Sequence, residues 1–239
     1  MERGGKAIQS VQRAMALLEA LSAQGGSARL MEIAAATGLS KSTAHGVLDT
    51  LVEMGYVTRE RHRYALGLRL AATARPLLPQ GARLREAFVP ALRAFNALCG
   101  ENCFLAVPCG TRAYLTLDAL DGEGRALDQP VNERRDALTT SAIGKIFLAH
   151  TPALARRLRQ AGALPAALDS ELPTIGEQGF AFDLQASQAR LNCFALPLRL
   201  RGRMVAALGA SGPADRLDPS LMRHLARRSM RELFDLVKC

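Results

Sequence analysis

Ser40-Lys41-Ser42-Thr43-Ala44-His45-Gly46 brings short hydroxyls, a point charge and an imidazole into one stretch. At the first turn of a helix such a set suits a polyanion. The free N–H groups and the positive dipole end favour a phosphate. Ser40, Ser42 and Thr43 supply short donors, Lys41 supplies charge, and His45 can reach a base edge. Arg59, Arg61 and Arg63, at alternate positions further along the chain, suit the flanking backbone or minor groove of a duplex. A second helix start, Thr140-Ser141-Ala142-Ile143-Gly144, has different chemistry. Its exposed N–H groups can cradle a carboxylate, and its small side chains let a ligand approach.

Enzyme chemistry is weakly supported. Cys193 is a candidate nucleophile, yet the sequence does not place His150 or His224 beside it, and a buried or pocket-wall cysteine fits better. Cys99, Cys103 and Cys109 lack the paired spacing of a zinc site, and no HExxH occurs. Phosphate-binding loops of the GxxxxGK[ST] or GxGxxG type are absent, so neither a metal nor a cofactor is expected.

The elements that must position these residues follow from periodicity. Ser10 is an expected cap for a first helix carrying Val11, Ala14, Leu18 and Leu21. A second helix is predicted from about Leu30 to Thr37. Gly38 turns the chain, and Ser40 caps a third helix ending near Met54-Gly55. Tyr56-Val57-Thr58 and Tyr64-Ala65-Leu66 then flank the basic tip as a hairpin. This order is the plan of a winged helix-turn-helix.

Residues 70–83 are rich in Ala and Arg and broken by Pro76 and Pro79, a linker with partial helix; a further helix is predicted from about Leu84 to Leu98, kinked or ended early by Pro90. Strands are predicted over Cys103–Val107 and Ala113–Leu117, within Arg125–Val131, from Gly179, and as a hairpin around Arg201-Gly202-Arg203. Helices are predicted over Thr140–His150 and Pro152–Ala161, and from Pro219 with Met222, Ala226, Ser229, Leu233 and Val237 on one side. Strands mixed with helices at both ends indicate an α+β domain with an antiparallel sheet.

Composition agrees. The chain has 239 residues, 49% of them hydrophobic, which supports a real core and excludes wholesale disorder. Its net charge of +9 is densest over the first 98 positions and suggests a polyanionic partner. Aromatic residues make up only 5% and Trp is absent, which disfavours a single-strand stacking platform. No apolar run approaches the roughly 18–20 residues of a membrane span, and Met1–Lys6 lacks a signal-like stretch, so a cytoplasmic protein away from membranes is expected. Five cysteines do not form a disulfide framework.

These motifs resemble the IclR family of bacterial transcription regulators over nearly the whole chain. The resemblance rests on Ile8–Ala14, Glu32-Ile33-Ala34, Thr37-Gly38-Leu39, Lys41–His45, Leu51–Val57 and Tyr64–Gly67. It continues through Thr140–Lys145, Gly179–Asp183 and Ala207–Pro213. It implies a winged-helix domain over 1–69, a linker over 70–84, and a GAF-like effector-binding and oligomerisation domain over 85–239. It also implies a homodimer or dimer of dimers on a double-stranded operator, modulated by a small organic or aromatic acid. In the family, the positions matching Ala142, Ile143, Gly144, Asp183, Cys193, Gly209 and Ser211 line the ligand pocket. Asp183 and Ser211 would offer polar contacts and Cys193 a soft wall.

This chain departs from the family in four places. Gly46 stands where a basic residue is usual, Arg29 where a Ser or Thr cap is usual, and Gly209 where Ser is frequent, which would enlarge the pocket. Pro76 and Pro79 would bend the linker helix. The alternative is a GAF-like ligand-binding or enzymatic protein whose winged domain contacts other proteins.

Overall fold

The computed structural model describes residues 8–111, 113–127, 134–135 and 137–233. The chain divides into two compact units, Met1–Gln80 and Gly81–Cys239.

The first unit builds its core from three helices and a small sheet. Helix α1 (Gln9–Ala23) buries Leu17 and Leu21, and α2 (Leu30–Thr37) buries Ile33 and Ala34. Gly38, at φ 65°, closes α2 in the left-handed conformation that favours glycine. Helix α3 (Lys41–Glu53) turns Ala44, Leu48 and Leu51 inward. Strands β1 (Ser27–Arg29), β2 (Val57–Glu60) and β3 (Arg63–Leu66) form an antiparallel sheet in the order β1-β3-β2.

Two details differ from expectation. Ser10 lies inside α1, whose N-cap is Ile8 and has no side-chain cap. Strand β1 is three residues long, too short for a period-2 pattern to register. At the start of α2 the Arg29 N–H donates to Glu32 Oε2 at 2.7 Å, so a carboxylate three residues on takes over part of a capping residue's role.

The segment after the hairpin is helical throughout. It comprises α4 (Leu68–Ala74), a 3-10 turn (Arg75–Leu77) and α5 (Leu78–Cys99). Helix α5 starts six residues before the expected Leu84 and runs through Pro90. Pro79 is compatible with that early start because a first-turn N–H has no intrahelical partner to lose.

The second unit is a six-stranded antiparallel sheet between two helical layers. Its strands are β4 (Asn102–Cys109), β5 (Ala113–Leu120), β6 (Arg134–Arg135), β7 (Ala181–Leu184), β8 (Leu191–Leu200) and β9 (Arg203–Pro213), in the order β6-β5-β4-β9-β8-β7. Alternation sorts the side chains. Leu105, Phe194, Leu208 and Ala210 face a layer made by α5, through Phe88, Leu92 and Phe95, and α9 (Pro219–Glu232), through Met222 and Ala226. Ala106, Tyr114, Ala195 and Ala207 face α6 (Ala142–His150), α7 (Pro152–Gln160) and α8 (Ala166–Gln178).

The sequence pattern does not announce α8, which follows Pro165 and contains Pro173 and Gly176. Of the strand expected within Arg125–Val131, Ala126 makes a single bridge to Leu120, and residues 128–133 lie outside the described residues. Val237 lies outside them too.

Candidate nucleic-acid interface and ligand cavity

The first turn of α3 is ordered by its own hydroxyls. Ser40 Oγ accepts from the Thr43 N–H at 3.2 Å and donates to Thr43 Oγ1 at 2.9 Å, with Ser42 Oγ 3.1 Å away. Lys41 and Ser42 are exposed. The solvent face of α3 continues through His45, Gly46, Asp49 and Thr50 at helical spacing.

Asp49, which the sequence reading did not single out, organises that face. Its carboxylate meets His45 Nδ1 at 2.7 Å and Arg59 Nη1 at 3.8 Å. The Arg59 guanidinium also lies 5.3 Å from the Tyr64 ring centroid. Helix and wing thus share one charge cluster. Arg61, at φ 55°, turns the wing tip. Arg63 is tied to β1 through Ser27, its Nε donating to Oγ at 3.1 Å and its Nη2 to the carbonyl at 2.8 Å. The eight candidate residues therefore divide by local role. Ser40, Ser42 and Thr43 form the cap, Lys41 extends from it, His45 and Arg59 are set by Asp49, Arg61 occupies the tip, and Arg63 also braces the small sheet. Gly46 has open space where a Cβ would stand, so nothing in the packing requires glycine there.

In the second unit, the start of α6 borders a cavity of about 470 Å³. Of the predicted residues it gathers Ser141, Ala142, Ile143, Cys193, Gly209 and Ser211. Ser141 caps α6: its Oγ accepts from the Gly144 N–H at 3.1 Å and donates to the Ala137 carbonyl at 2.8 Å. The cap hydroxyl is therefore engaged, and the Ala142 and Ile143 N–H groups belong to the unsatisfied first turn. The sequence reading missed Tyr114 and Thr116 on β5, Asn102 and Phe104 on β4, and Ser187 and Gln188 in the β7–β8 loop. The β4 and β5 positions alternate toward α6, a signal that register makes visible only once the strands are paired.

Two predicted residues do not line this cavity. A Cβ on Gly144 would stand 2.4 Å from Leu138 Cα and 2.5 Å from its carbonyl oxygen, so this glycine serves close backbone packing. Asp183 is fully buried; it accepts from the Ala186 N–H at 2.8 Å and from the Ser187 hydroxyl. Asp183 thereby fixes the loop that carries Ser187 and Gln188 to the wall. Gly209 does not enlarge the cavity as expected. A Cβ there would meet Ile143 Cδ1 at 2.6 Å, so the Ile143 side chain occupies the space a larger residue would take.

His150 Nδ1 lies 3.2 Å from Arg199 Nη2 and is not a neighbour of Cys193 in this cavity. The Cys103 thiol is pushed far up in pKa, first by its hydrogen bond to Cys99 and then by burial, the opposite of a reactive thiolate. Among the described residues, no group of three His, Cys, Asp or Glu side chains is placed to hold a metal. No helix among them is long and apolar enough to cross a membrane.

Comparison with known proteins gives one answer over both units. Residues 10–61 match the family described as the IclR helix-turn-helix domain, and residues 79–232 match the bacterial transcriptional regulator IclR C-terminal family. The chain is 28% identical over 225 residues to the HTH-type transcriptional regulator XynR of Escherichia coli (strain K12), covering 88% of each chain. It is 31% identical over 237 residues to the glycerol operon regulatory protein of Streptomyces griseus, covering 89% of this chain and 87% of that one. Its fold superimposes, with a TM-score of 0.66 and 24% identity, on the crystal structure of an IclR homolog complexed with 4-hydroxybenzoate from Microbacterium hydrocarbonoxydans, covering 95% and 99% of the two chains.

Proposed function

The chain belongs to the IclR family, whose members are DNA-binding transcriptional regulators and not enzymes, and from that premise we propose that it is a cytoplasmic regulator whose DNA affinity is set by a small organic or aromatic acid. The first turn of α3, with Ser40, Lys41, Ser42 and Thr43, meets operator phosphates, while His45 and the wing arginines Arg59 and Arg61 meet base edges or flanking backbone. Arg63 reaches DNA only with the donors left over from Ser27. The chain acts as a homodimer or dimer of dimers on a pseudopalindrome, with half-sites about 10 base pairs apart or a multiple of that.

The observation that carries the effector reading is the cavity at the start of α6. It combines first-turn N–H groups, hydroxyls on Thr116 and Ser211, and an apolar wall of Phe104 and Ile143. Those donors suit a carboxylate and the wall suits an aromatic body. The 4-hydroxybenzoate complex of the Microbacterium hydrocarbonoxydans relative supports the same chemistry. Such a ligand regulates only by binding the DNA-competent and DNA-incompetent states with different affinity.

A thermal-shift series of hydroxybenzoates and short organic acids beside their matched amides tests this. Acids alone should raise the melting temperature. Equal shifts from acids and amides would remove the anion from the reading.

A further inference from the structure

A second cavity, of about 550 Å³, opens in the effector unit away from the α6 start. Its origin lies in the sheet. Strand β7 begins at Ala181 opposite Ala195, so β8 from Leu196 to Leu200 pairs with β9 and, among the described residues, with no strand on its other side. The ends of α6, α8 and α9 surround the space left there through His150, Gly179 and Ser229.

The chemistry of this cavity is one-sided. Arg199 donates to His150 Nδ1 at 3.2 Å, and a guanidinium has no acceptor, so the imidazole accepts at Nδ1 and carries its proton on Nε2. That Nε2 is buried without a hydrogen-bond partner. Ser229 is 0% exposed and its Oγ is likewise buried and unpartnered. Both of these atoms are closed off from solvent, so the charge that meets the open space comes from the arginines. Exposed Arg199 and Arg201 supply positive charge, Arg201 from the β8–β9 turn, where its φ is 50°. Among the described residues, the lining contains no acidic side chain. The rest of the wall is apolar, with Leu196, Leu198 and Met230 prominent.

The geometry points to a second ligand site at this open edge of β8, one that takes an amphiphilic monocarboxylate, its acid recognised by Arg199 and Arg201, with His150 holding the Arg199 guanidinium from behind, and its hydrocarbon body held against Leu196, Leu198 and Met230. This site does not depend on the α6 cavity being the effector pocket.

Calorimetric titration of the full chain with octanoate, beside octan-1-ol as the neutral match, tests it. Octanoate should bind saturably and octan-1-ol at least about tenfold more weakly, as loss of charge-assisted hydrogen bonds to arginine predicts. The double variant Arg199→Gln/Arg201→Gln should lose octanoate by a similar factor, whereas Ser211→Phe, which fills the α6 cavity, should leave octanoate binding unchanged. Equal affinity for acid and alcohol, full octanoate affinity in the double variant, loss of octanoate in Ser211→Phe, or no saturable heat would each overturn the site. A changed sedimentation state in the double variant with octanoate affinity intact would also overturn it, making this edge a subunit contact.

Discussion

At the scale of single residues, two glycines have opposite reasons to be there. Gly46 is exposed in the middle of α3 with open space beyond it, so Gly46→Ala should stabilise the protein by about 1 kcal/mol in chemical denaturation. Gly46→Arg should tighten binding to every duplex and steepen its salt dependence by about one unit of slope, as one added phosphate contact would. Gly209 is held by its neighbour instead. Gly209→Ser drives a Cβ into Ile143 and should cost about 1–3 kcal/mol, and adding Ile143→Ala should recover most of that loss in a double-mutant cycle read by denaturant melts. Residue types at Ser40, Lys41 and Ser141 were legible because cap chemistry is local. The roles of Asp49 and Gly209 were not, because each depends on a partner brought close by folding: Arg59 from the hairpin and the side chain of Ile143 from another element.

At the scale of elements, the sequence announces those whose boundaries are marked by local chemistry. Helix α2 ends at Gly38, α3 begins after Ser40, the β8–β9 hairpin turns at Arg201-Gly202, and α9 opens at Pro219 behind Asp218, whose carboxylate accepts from the Ser220 and Leu221 N–H groups. Elements without such marks stay hidden. Strand β1 forms only because β3 pairs with it, and α8 forms despite Pro173 and Gly176 because Leu168, Leu172 and Ile175 are buried against the α6 layer. The packing of α6 rests on Gly144, whose missing side chain lets the helix start lie against Leu138 and Ala137. Gly144→Ala should therefore cost about 3 kcal/mol and distort the cavity. The check is a lowered denaturation midpoint together with a lost thermal shift from whichever acid stabilises the parent protein.

At the scale of the whole molecule, the basic charge, the winged plan of the first unit and the antiparallel sheet of the second were legible from composition, order and spacing, whereas the covering of that sheet by helices on both faces was not. The volume of each cavity was not, since it depends on how side chains from several strands and helices meet. The proposed regulation of DNA binding depends on the first turn of α3 meeting phosphate. The most direct test is the salt dependence of duplex binding by fluorescence anisotropy, using DNA from the chain's own upstream region and an unrelated duplex, for the parent protein and Lys41→Ala. Lys41→Ala should weaken both duplexes by the same factor and make the slope of log affinity against log salt shallower by about 0.9. An unchanged slope, with affinity intact, would place Lys41 and the helix start it extends from away from DNA.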